Sequence, residues 1–338
     1  MQGHAKASGY DRLADFLGFP VIQPVRDWTF TRRAVARLLR PLIRRSGSTW
    51  YHRDSLITEL QLAREWLANR EQVFHFLYGE NSYRYLGAIK SLGRRNRIVC
   101  TYHTPPDVFR ALVRDHQHLR RLDAIITVST AQNEFFSSIA GRQVSFVPHG
   151  VDVDYFQPKN KRNVEDAVVR CLFVGSYLRD LETLARTAAY VGQRTRDVQF
   201  SVVTRPELHF HFRELRNVEL YSGVSDEKLL EMYHNADLFL LPMIDCTANN
   251  GLLEAIACGL PIVATDLQGV RDYTSGDCAI LTPKGDAEAM AEALLKLAGD
   301  ANKRESMGKA SRQQALNFRW ERVAEQVRDV YRKVSESR

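Results

Sequence analysis

The chain has 338 residues, 44% of them hydrophobic and 26% charged, which is the composition of a globular protein of about two domains. Neither a membrane-spanning apolar run of about 20 residues nor the apolar core of a signal peptide is present, and five cysteines without CxxC spacing disfavour disulfide scaffolds and cysteine-rich zinc sites. These features predict a protein of the reducing cytoplasm.

The net charge of +7 is unevenly distributed along the chain. Residues 1–160 carry 23 Lys and Arg against 14 Asp and Glu, whereas the remainder carries 24 against 26. An anionic membrane, an anionic acceptor, nucleic acid or solubility alone would each explain a basic first half. Because no aromatic-interleaved basic strand or helix-turn-helix is evident, nucleic acid is not expected as a partner.

In the first half, short apolar runs alternate with longer amphipathic stretches, a pattern that favours parallel α/β structure. The predicted strands are Pro20–Val25, Val73–Tyr78, Ile98–His103, Ala124–Val128 and Val144–Val147, and the predicted helices are Arg32–Arg44, Asp54–Ala68 and Asn133–Ile139.

The Arg32–Arg45 segment has the pattern of a basic amphipathic helix, because six arginines alternate with aliphatic residues. Pro41 is expected to kink the helix or divide it in two. Such a segment suits an anionic membrane surface, and it equally suits a helix whose basic face is simply solvated.

In the second half the same alternation continues beyond a polar stretch at 157–167, which we interpret as a linker. The predicted strands are Arg170–Val174, Gln199–Val203, Val218–Tyr221, Leu238–Leu241, Ile262–Ala264 and Ala279–Leu281, and the predicted helices are Leu181–Val191, Asp226–His234, Gly251–Ala257 and Asp286–Ala298. Two Rossmann-like halves result, and a ligand is expected in the cleft where the carboxyl ends of their strands face each other.

The most informative segment is Pro242–Tyr273, PMIDCTANNGLLEAIACGLPIVATDLQGVRDY. After a strand, Asn249, Asn250, Gly251 and Leu252 open a helix whose free N–H groups and positive dipole end suit a phosphate. Glu254, one turn into the helix, is placed to accept hydrogen bonds from two ribose hydroxyls. The alternative is an ordinary capped helix in which the helix dipole favours a glutamate.

LLEAIACGLPIVATD resembles the donor-site signature of GT-B glycosyltransferases, in particular the retaining family 4. The resemblance covers nearly the whole chain, since VPHGVDVDYFQP, LFVGSYLRDLETL, YSGVSDEKLLEMYHNADLFLLP and the N-terminal GHAKASGYDRL follow in the family's order. It implies a GT-B fold with an acceptor-side domain over residues 1–156, a linker over 157–167 and a nucleotide-sugar-binding domain over 168–320. Residues 321–338 are then a C-terminal helix that packs back on the N-terminal domain.

The resemblance also implies roles for particular residues. Glu254 takes the place of the family's ribose-binding glutamate, and Cys246 stands where the family has a glutamate that contacts the donor sugar, with Asp245 beside it. Gly175 and Arg179 lie in the predicted phosphate-contacting loop, where Arg179 would otherwise pair with Asp180 or Glu182 on the surface.

Three residues of the first half are further candidates. His103, at the end of a predicted strand, is expected beside the reaction centre, or else is a hydrogen-bonded loop histidine. Gly9 would let its loop approach the phosphate, and Glu80 would contact the acceptor. Only Met1–Gly3 precede the glycine loop, so the central first strand of a Rossmann half is absent or lies upstream, or the N-terminal sheet is built differently.

The function implied is a retaining hexosyltransferase that uses a nucleotide diphosphate sugar, UDP-sugar being favoured, and a glycan, lipid-linked or small-molecule acceptor. The alternative is a non-catalytic GT-B-like subunit of a membrane-associated glycosylation complex. Asp152 and Asp154 form a D-x-D pattern inside a turn, and neither a metal nor another cofactor is expected. Cytoplasmic location, with peripheral binding to the inner face of the membrane through Arg32–Arg45, completes the expectation.

Overall fold

The computed structural model describes residues 8–23, 29–93, 95–142, 144–159 and 168–336. The described chain divides into two compact units. The C-terminal unit contains residues 8–12 and 149–322, and the N-terminal unit contains residues 13–148 and 323–336.

The N-terminal unit is built on a four-stranded parallel sheet whose strands are adjacent in chain order. They are β1 (Val73–Phe76), β2 (Arg97–Tyr102), β3 (Ala124–Thr127) and β4 (Val144–Phe146). Four of the five strands predicted here are therefore confirmed. No strand precedes β1 in the described part of the chain, so the central first strand of a Rossmann half is not found there.

The predicted strand Pro20–Val25 is wrong over its described part. Residues 20–23 form no strand, and residues 24–25 lie outside the described residues. Pro20 has no N–H to donate to a sheet ladder. Val21 is 51% exposed, so this stretch also lacks the burial that an apolar strand needs.

Seven helices of the described N-terminal unit flank the sheet. They are α1 (Leu13–Leu17), α2 (Phe30–Leu38), α3 (Arg40–Arg45), α4 (Arg53–Ala68), α5 (Gly79–Ser82), α6 (Pro106–Leu112) and α7 (Asn133–Ala140). The predicted basic helix is divided in two, with Pro41 in the first turn of α3, where its missing N–H is tolerated.

The C-terminal unit contains a six-stranded parallel sheet in the order β10-β9-β8-β5-β6-β7. Its strands, all predicted, are β5 (Val169–Val174), β6 (Val198–Val203), β7 (Val218–Tyr221), β8 (Leu238–Leu241), β9 (Ile262–Thr265) and β10 (Ala279–Thr282). The strand order reverses between β5 and β8, and in such sheets ligands bind where the order reverses.

The helices of this unit cover both faces of the sheet with separate apolar clusters. They are α8 (Leu181–Arg194), α9 (Asp226–Asn235), α10 (Asn250–Ala257), α11 (Gln268–Arg271), α12 (Ala287–Ala298) and α13 (Ala301–Ala315). The helix α14 (Trp320–Glu336) follows and runs into the N-terminal unit. Among the described residues, no helix is both long and apolar enough to cross a membrane.

The boundaries of the units differ from the expected domains. Residues 8–12 lie with the C-terminal unit, because the Tyr10 ring packs on His149 and Trp320 at centroid distances of 5.2 and 6.0 Å. Arg12 forms an ion pair with Asp152 at 3.1 Å, which occupies one carboxylate of the D-x-D pattern. In the expected linker, residues 160–167 lie outside the described residues.

The end of α14 belongs to the N-terminal unit through specific polar contacts. The Tyr331 hydroxyl lies 2.6 Å from Nδ1 of His75 on β1, and Arg97 on β2 donates to the Val334 carbonyl at 2.8 Å. Edge strand β1 is thereby covered.

Candidate functional site

The loops that follow β5 and β8 meet at the reversal of strand order. The Asp180 N–H donates to the Pro242 carbonyl at 3.0 Å, and the Ile244 N–H donates to the Leu178 carbonyl at 2.9 Å. Leu178 has a φ of 54°, an uncommon conformation for a leucine, so this loop holds local strain of the kind found at functional sites.

Gly175 ends β5 in a conformation that only glycine adopts readily, with a φ of 111°. A Cβ atom there would lie 2.6 Å from Nη2 of Arg179. The glycine therefore makes room for the guanidinium to fold back over the end of the strand, where sequence analysis placed a phosphate.

The Arg179 guanidinium donates to neutral acceptors. Its partners are the carbonyls of Val174 and Tyr177, both at 3.1 Å, the Met243 sulfur at 3.2 Å and Oδ1 of Asn249 at 3.2 Å. No carboxylate in the described chain forms an ion pair with it, so the expected alternative of pairing with Asp180 or Glu182 is not observed. Because burial of an uncompensated cation lowers its pKa, this half-buried arginine is a site at which an anion would be stabilised.

Asn249 links this cation to helix α10. Its side-chain oxygen also accepts from the Leu252 N–H at 3.0 Å, the N-cap bond predicted from the sequence. Gly251 is buried and presents no side chain at the first turn. Cation, cap and helix N-terminus therefore place positive charge together.

Glu254 lies one turn further along α10 and is 96% buried, with a relative exposure of 4%. Its Oε1 accepts from the Ser8 hydroxyl at 2.5 Å, and its Oε2 accepts from the Tyr233 hydroxyl at 2.7 Å. Burial raises the pKa of this carboxyl to about 7, although both hydroxyl donors act to lower it. The group can therefore gain or lose a proton near neutral pH.

Cys246 supplies no carboxylate where the resemblance expects one. The thiol is buried, donates to the Thr247 carbonyl at 3.2 Å, and burial raises its pKa to about 12, so it is neutral. The neighbouring Asp245 caps the Cys246 N–H at 2.7 Å. Gly269 approaches this loop so closely that a Cβ would lie 2.1 Å from the Cys246 carbonyl oxygen.

His103 and Glu80 lie together in the N-terminal unit. Nε2 of His103 is 2.8 Å from the Leu77 carbonyl, and its ring packs on Tyr78 with centroids 4.8 Å apart. Oε1 of Glu80 accepts from the His103 N–H at 3.0 Å, while Oε2 is buried without a hydrogen-bond partner in the described chain. Burial raises the pKa of Glu80 to about 7.

The structure thus groups the predicted donor residues Gly175, Arg179, Asn249, Asn250, Gly251, Leu252 and Glu254 in one unit. Gly9 is beside them in the chain segment fixed by Ser8, whose carbonyl accepts from the Asn250 amide at 2.9 Å. Ser8 and Tyr233 were missed by sequence analysis, because a hydroxyl gives no local signal of the long-range partner to which it donates.

Residues 168–300 match the model of the family described as Glycosyl transferases group 1. The chain is 27% identical over 227 residues to the MMP alpha-(1->4)-mannosyltransferase of Mycolicibacterium hassiacum, covering 63% of this chain and 55% of that protein. It is also 27% identical over 261 residues to the D-inositol 3-phosphate glycosyltransferase of Kribbella flavida, covering 69% and 61%. The chain therefore spans less than two thirds of the length of these curated relatives.

The fold also resembles that of Alr3699/HepE of Anabaena, solved in complex with UDP, with a TM-score of 0.65. Identity to it is 16%, with 82% of each chain covered. The predicted resemblance to family 4-like GT-B glycosyltransferases and the GT-B fold class are thus confirmed.

Proposed function

We propose that this chain transfers a sugar from a nucleotide diphosphate donor, UDP being the favoured nucleotide, to a glycan, lipid-linked or small-molecule acceptor with retention of anomeric configuration. The observation that carries the proposal is the Arg179 guanidinium, held by neutral acceptors beside the first turn of α10. The named transferases among the relatives favour an enzyme over a non-catalytic subunit.

In this proposal the diphosphate binds between Arg179 and the N-terminus of α10. Each charge-assisted hydrogen bond to a phosphate oxygen contributes roughly 1.5–3 kcal/mol. Gly175 and Gly251 permit close approach of the backbone. Glu254 accepts hydrogen bonds from the ribose hydroxyls when it is ionised.

The same positive charge would promote the chemical step. Breaking the bond between sugar and phosphate leaves negative charge on the diphosphate, and a preorganised cation with helix N–H groups stabilises that charge. We assign this role to Arg179 and propose attack by the acceptor hydroxyl on the face from which the diphosphate leaves. No metal or other cofactor is required in this scheme.

The sugar subsite is proposed to differ from that of the family. A neutral Cys246 thiol cannot accept two strong hydrogen bonds from sugar hydroxyls as a carboxylate does. Asp245 or main-chain groups of the 245–248 loop would then contact the sugar. His103 remains the proposed catalytic group of the N-terminal unit, and Glu80 the proposed acceptor contact.

For the acceptor we propose a membrane-bound or membrane-proximal substrate. Helices α2 and α3 expose a group of arginines without a carboxylate partner in the described chain, namely Arg33, Arg37, Arg40, Arg44 and Arg45. Residues 28–53 contain no Asp or Glu, and Leu38 is 78% exposed. Cations interleaved with apolar groups on one surface support docking on anionic lipid.

Calorimetric titration with UDP tests the donor site. Arg179→Ala removes the phosphate cation and Glu254→Ala the ribose acceptor, so each is expected to weaken UDP binding at least tenfold. His103→Ala is expected to lower transfer or donor hydrolysis while leaving UDP affinity unchanged. Arg196→Ala, an exposed arginine of the same unit, is the matched control.

Unchanged UDP affinity in both Arg179→Ala and Glu254→Ala would contradict the donor site. Binding without any turnover of UDP-sugars in the presence of candidate acceptors would instead favour the non-catalytic subunit.

A further inference from the structure

Both oxygens of Glu254 already accept a hydroxyl proton in the ligand-free protein. The inference concerns these two hydroxyls, and it rests on the proposed binding of a nucleotide ribose at Glu254. The two donors differ in how they are held, and that difference assigns them different roles.

Tyr233 is fixed in the core of the C-terminal unit. Its side chain has no solvent exposure, and its ring packs against Phe239 and Phe156 with centroids 6.0 and 6.1 Å away. Its hydroxyl also lies 3.4 Å from the Gly251 carbonyl at the first turn of α10. Removing it from Glu254 would require opening the core, so it holds Oε2 and the plane of the carboxylate in place.

Ser8 is held much less firmly. It belongs to a short turn before the helical turn Tyr10–Arg12, and its main chain is tied to α10 by one side-chain amide, that of Asn250. Its hydroxyl presents to Oε1 the same O–H donor that a ribose hydroxyl would present. A short rotation or displacement of this turn frees the oxygen without disturbing the sheet.

We propose that the Ser8 hydroxyl occupies, in the ligand-free protein, the position of one ribose hydroxyl on Glu254, and that the nucleotide displaces it. Tyr233 is the positioning residue that keeps the carboxylate oriented for the diol throughout. Ser8 thus competes with the ribose, whereas Tyr233 prepares the site for it.

The two substitutions are expected to change UDP affinity in opposite directions. Ser8→Ala removes the competitor and tightens binding by up to about tenfold, and Tyr233→Phe releases the carboxylate and weakens binding by about tenfold. Ser222→Ala and Tyr221→Phe are matched controls, since Ser222 is exposed and Tyr221 donates to the surface carboxylate of Glu219.

A second measurement separates positioning from folding. The ratio of UDP to 2′-deoxy-UDP affinity is expected to fall in Tyr233→Phe, because a reoriented carboxylate no longer selects the diol, whereas a general loss of structure would weaken both ligands alike. Weaker or unchanged UDP binding in Ser8→Ala overturns the competition, and an unchanged ratio in Tyr233→Phe overturns its positioning role.

The proposed function fails separately. If wild-type protein does not bind UDP, or if Glu254→Ala binds it as well as wild type does, the ribose site itself is wrong. If wild-type protein binds UDP and Glu254→Ala does not, the Ser8 and Tyr233 results judge this inference alone.

Discussion

Glu254 shows how one residue meets conflicting demands of stability and binding. Its carboxyl is buried, and burial raises its pKa to about 7, so the folded protein binds this proton more tightly than the unfolded chain does. The stabilising effect of the proton is present at low pH and is lost as pH rises from the ordinary carboxyl pKa of 4.5 through 7. Ribose binding, in contrast, requires the ionised form.

Replacing Glu254 with glutamine is therefore expected to stabilise the protein at pH 8 and to weaken nucleotide binding. The amide is neutral, keeps an oxygen for the Tyr233 hydroxyl and offers an N–H to Ser8. Thermal unfolding should show a melting temperature a few degrees above that of wild type at pH 8 and close to it at pH 5. A lower melting temperature at pH 8 would mean that the buried charge is compensated.

The pH dependence of binding is expected to follow the same group. UDP affinity of the wild-type protein should rise between pH 6 and pH 8 relative to that of Glu254→Gln, which serves as reference because the phosphate of UDP also titrates. Ser8, Tyr233, Asp226 and Arg179 are the neighbours that set this pKa. Parallel pH profiles of the two proteins, measured by calorimetry, would contradict the assignment.

At the scale of helices and strands, α2 and α3 carry the next prediction. Each arginine near an anionic surface contributes roughly 1 kcal/mol, and the attraction decays within about 8 Å at physiological salt. The protein should therefore sediment with anionic vesicles, be released by high salt and ignore neutral vesicles. Replacing Arg37, Arg40 and Arg44 with Glu should abolish sedimentation and leave UDP binding unchanged.

The matched control makes the same change of charge elsewhere. Arg196, Arg213 and Arg216 are exposed in the C-terminal unit, and their replacement by Glu should leave vesicle binding largely intact. Equal loss in both triple variants would show that only net charge matters. Wild-type protein that stays in the supernatant at low salt would show that the basic face is merely solvated.

Periodicity predicted the elements that bury an apolar face, such as β5 and β8, because a buried strand shows as a run of β-branched and aliphatic residues. It was wrong at Pro20–Val25, where apolar residues are exposed rather than packed. The cap at Asn249 was predictable because its bond is local. The donors to Glu254 were not, since Ser8 is 246 residues away in the chain.

At the scale of the whole molecule, the boundaries of the units depend on contacts between the two ends of the chain. Burial of Tyr10 against Trp320 and hydrogen bonding of Tyr331 to His75 assign short terminal segments to units that are remote in sequence. No local pattern encodes such pairings. Composition and alternation therefore predicted two α/β units but placed residues 8–12 in the wrong one.

The last prediction concerns the stability of the whole chain in the presence of nucleotide. A ligand that binds only the folded protein at 100 times its Kd stabilises it by roughly 2.7 kcal/mol, so the nucleotide that fits the site should raise the melting temperature by several degrees. We expect UDP to do so more than ADP or GDP at equal concentration. Because Arg179 and the α10 N-terminus supply the positive charge for the phosphates, excess chelator should leave this shift unchanged, whereas Arg179→Ala should abolish most of it. Loss of the shift in chelator, with recovery on adding manganese, would transfer the phosphate-binding role from the arginine to a bound metal.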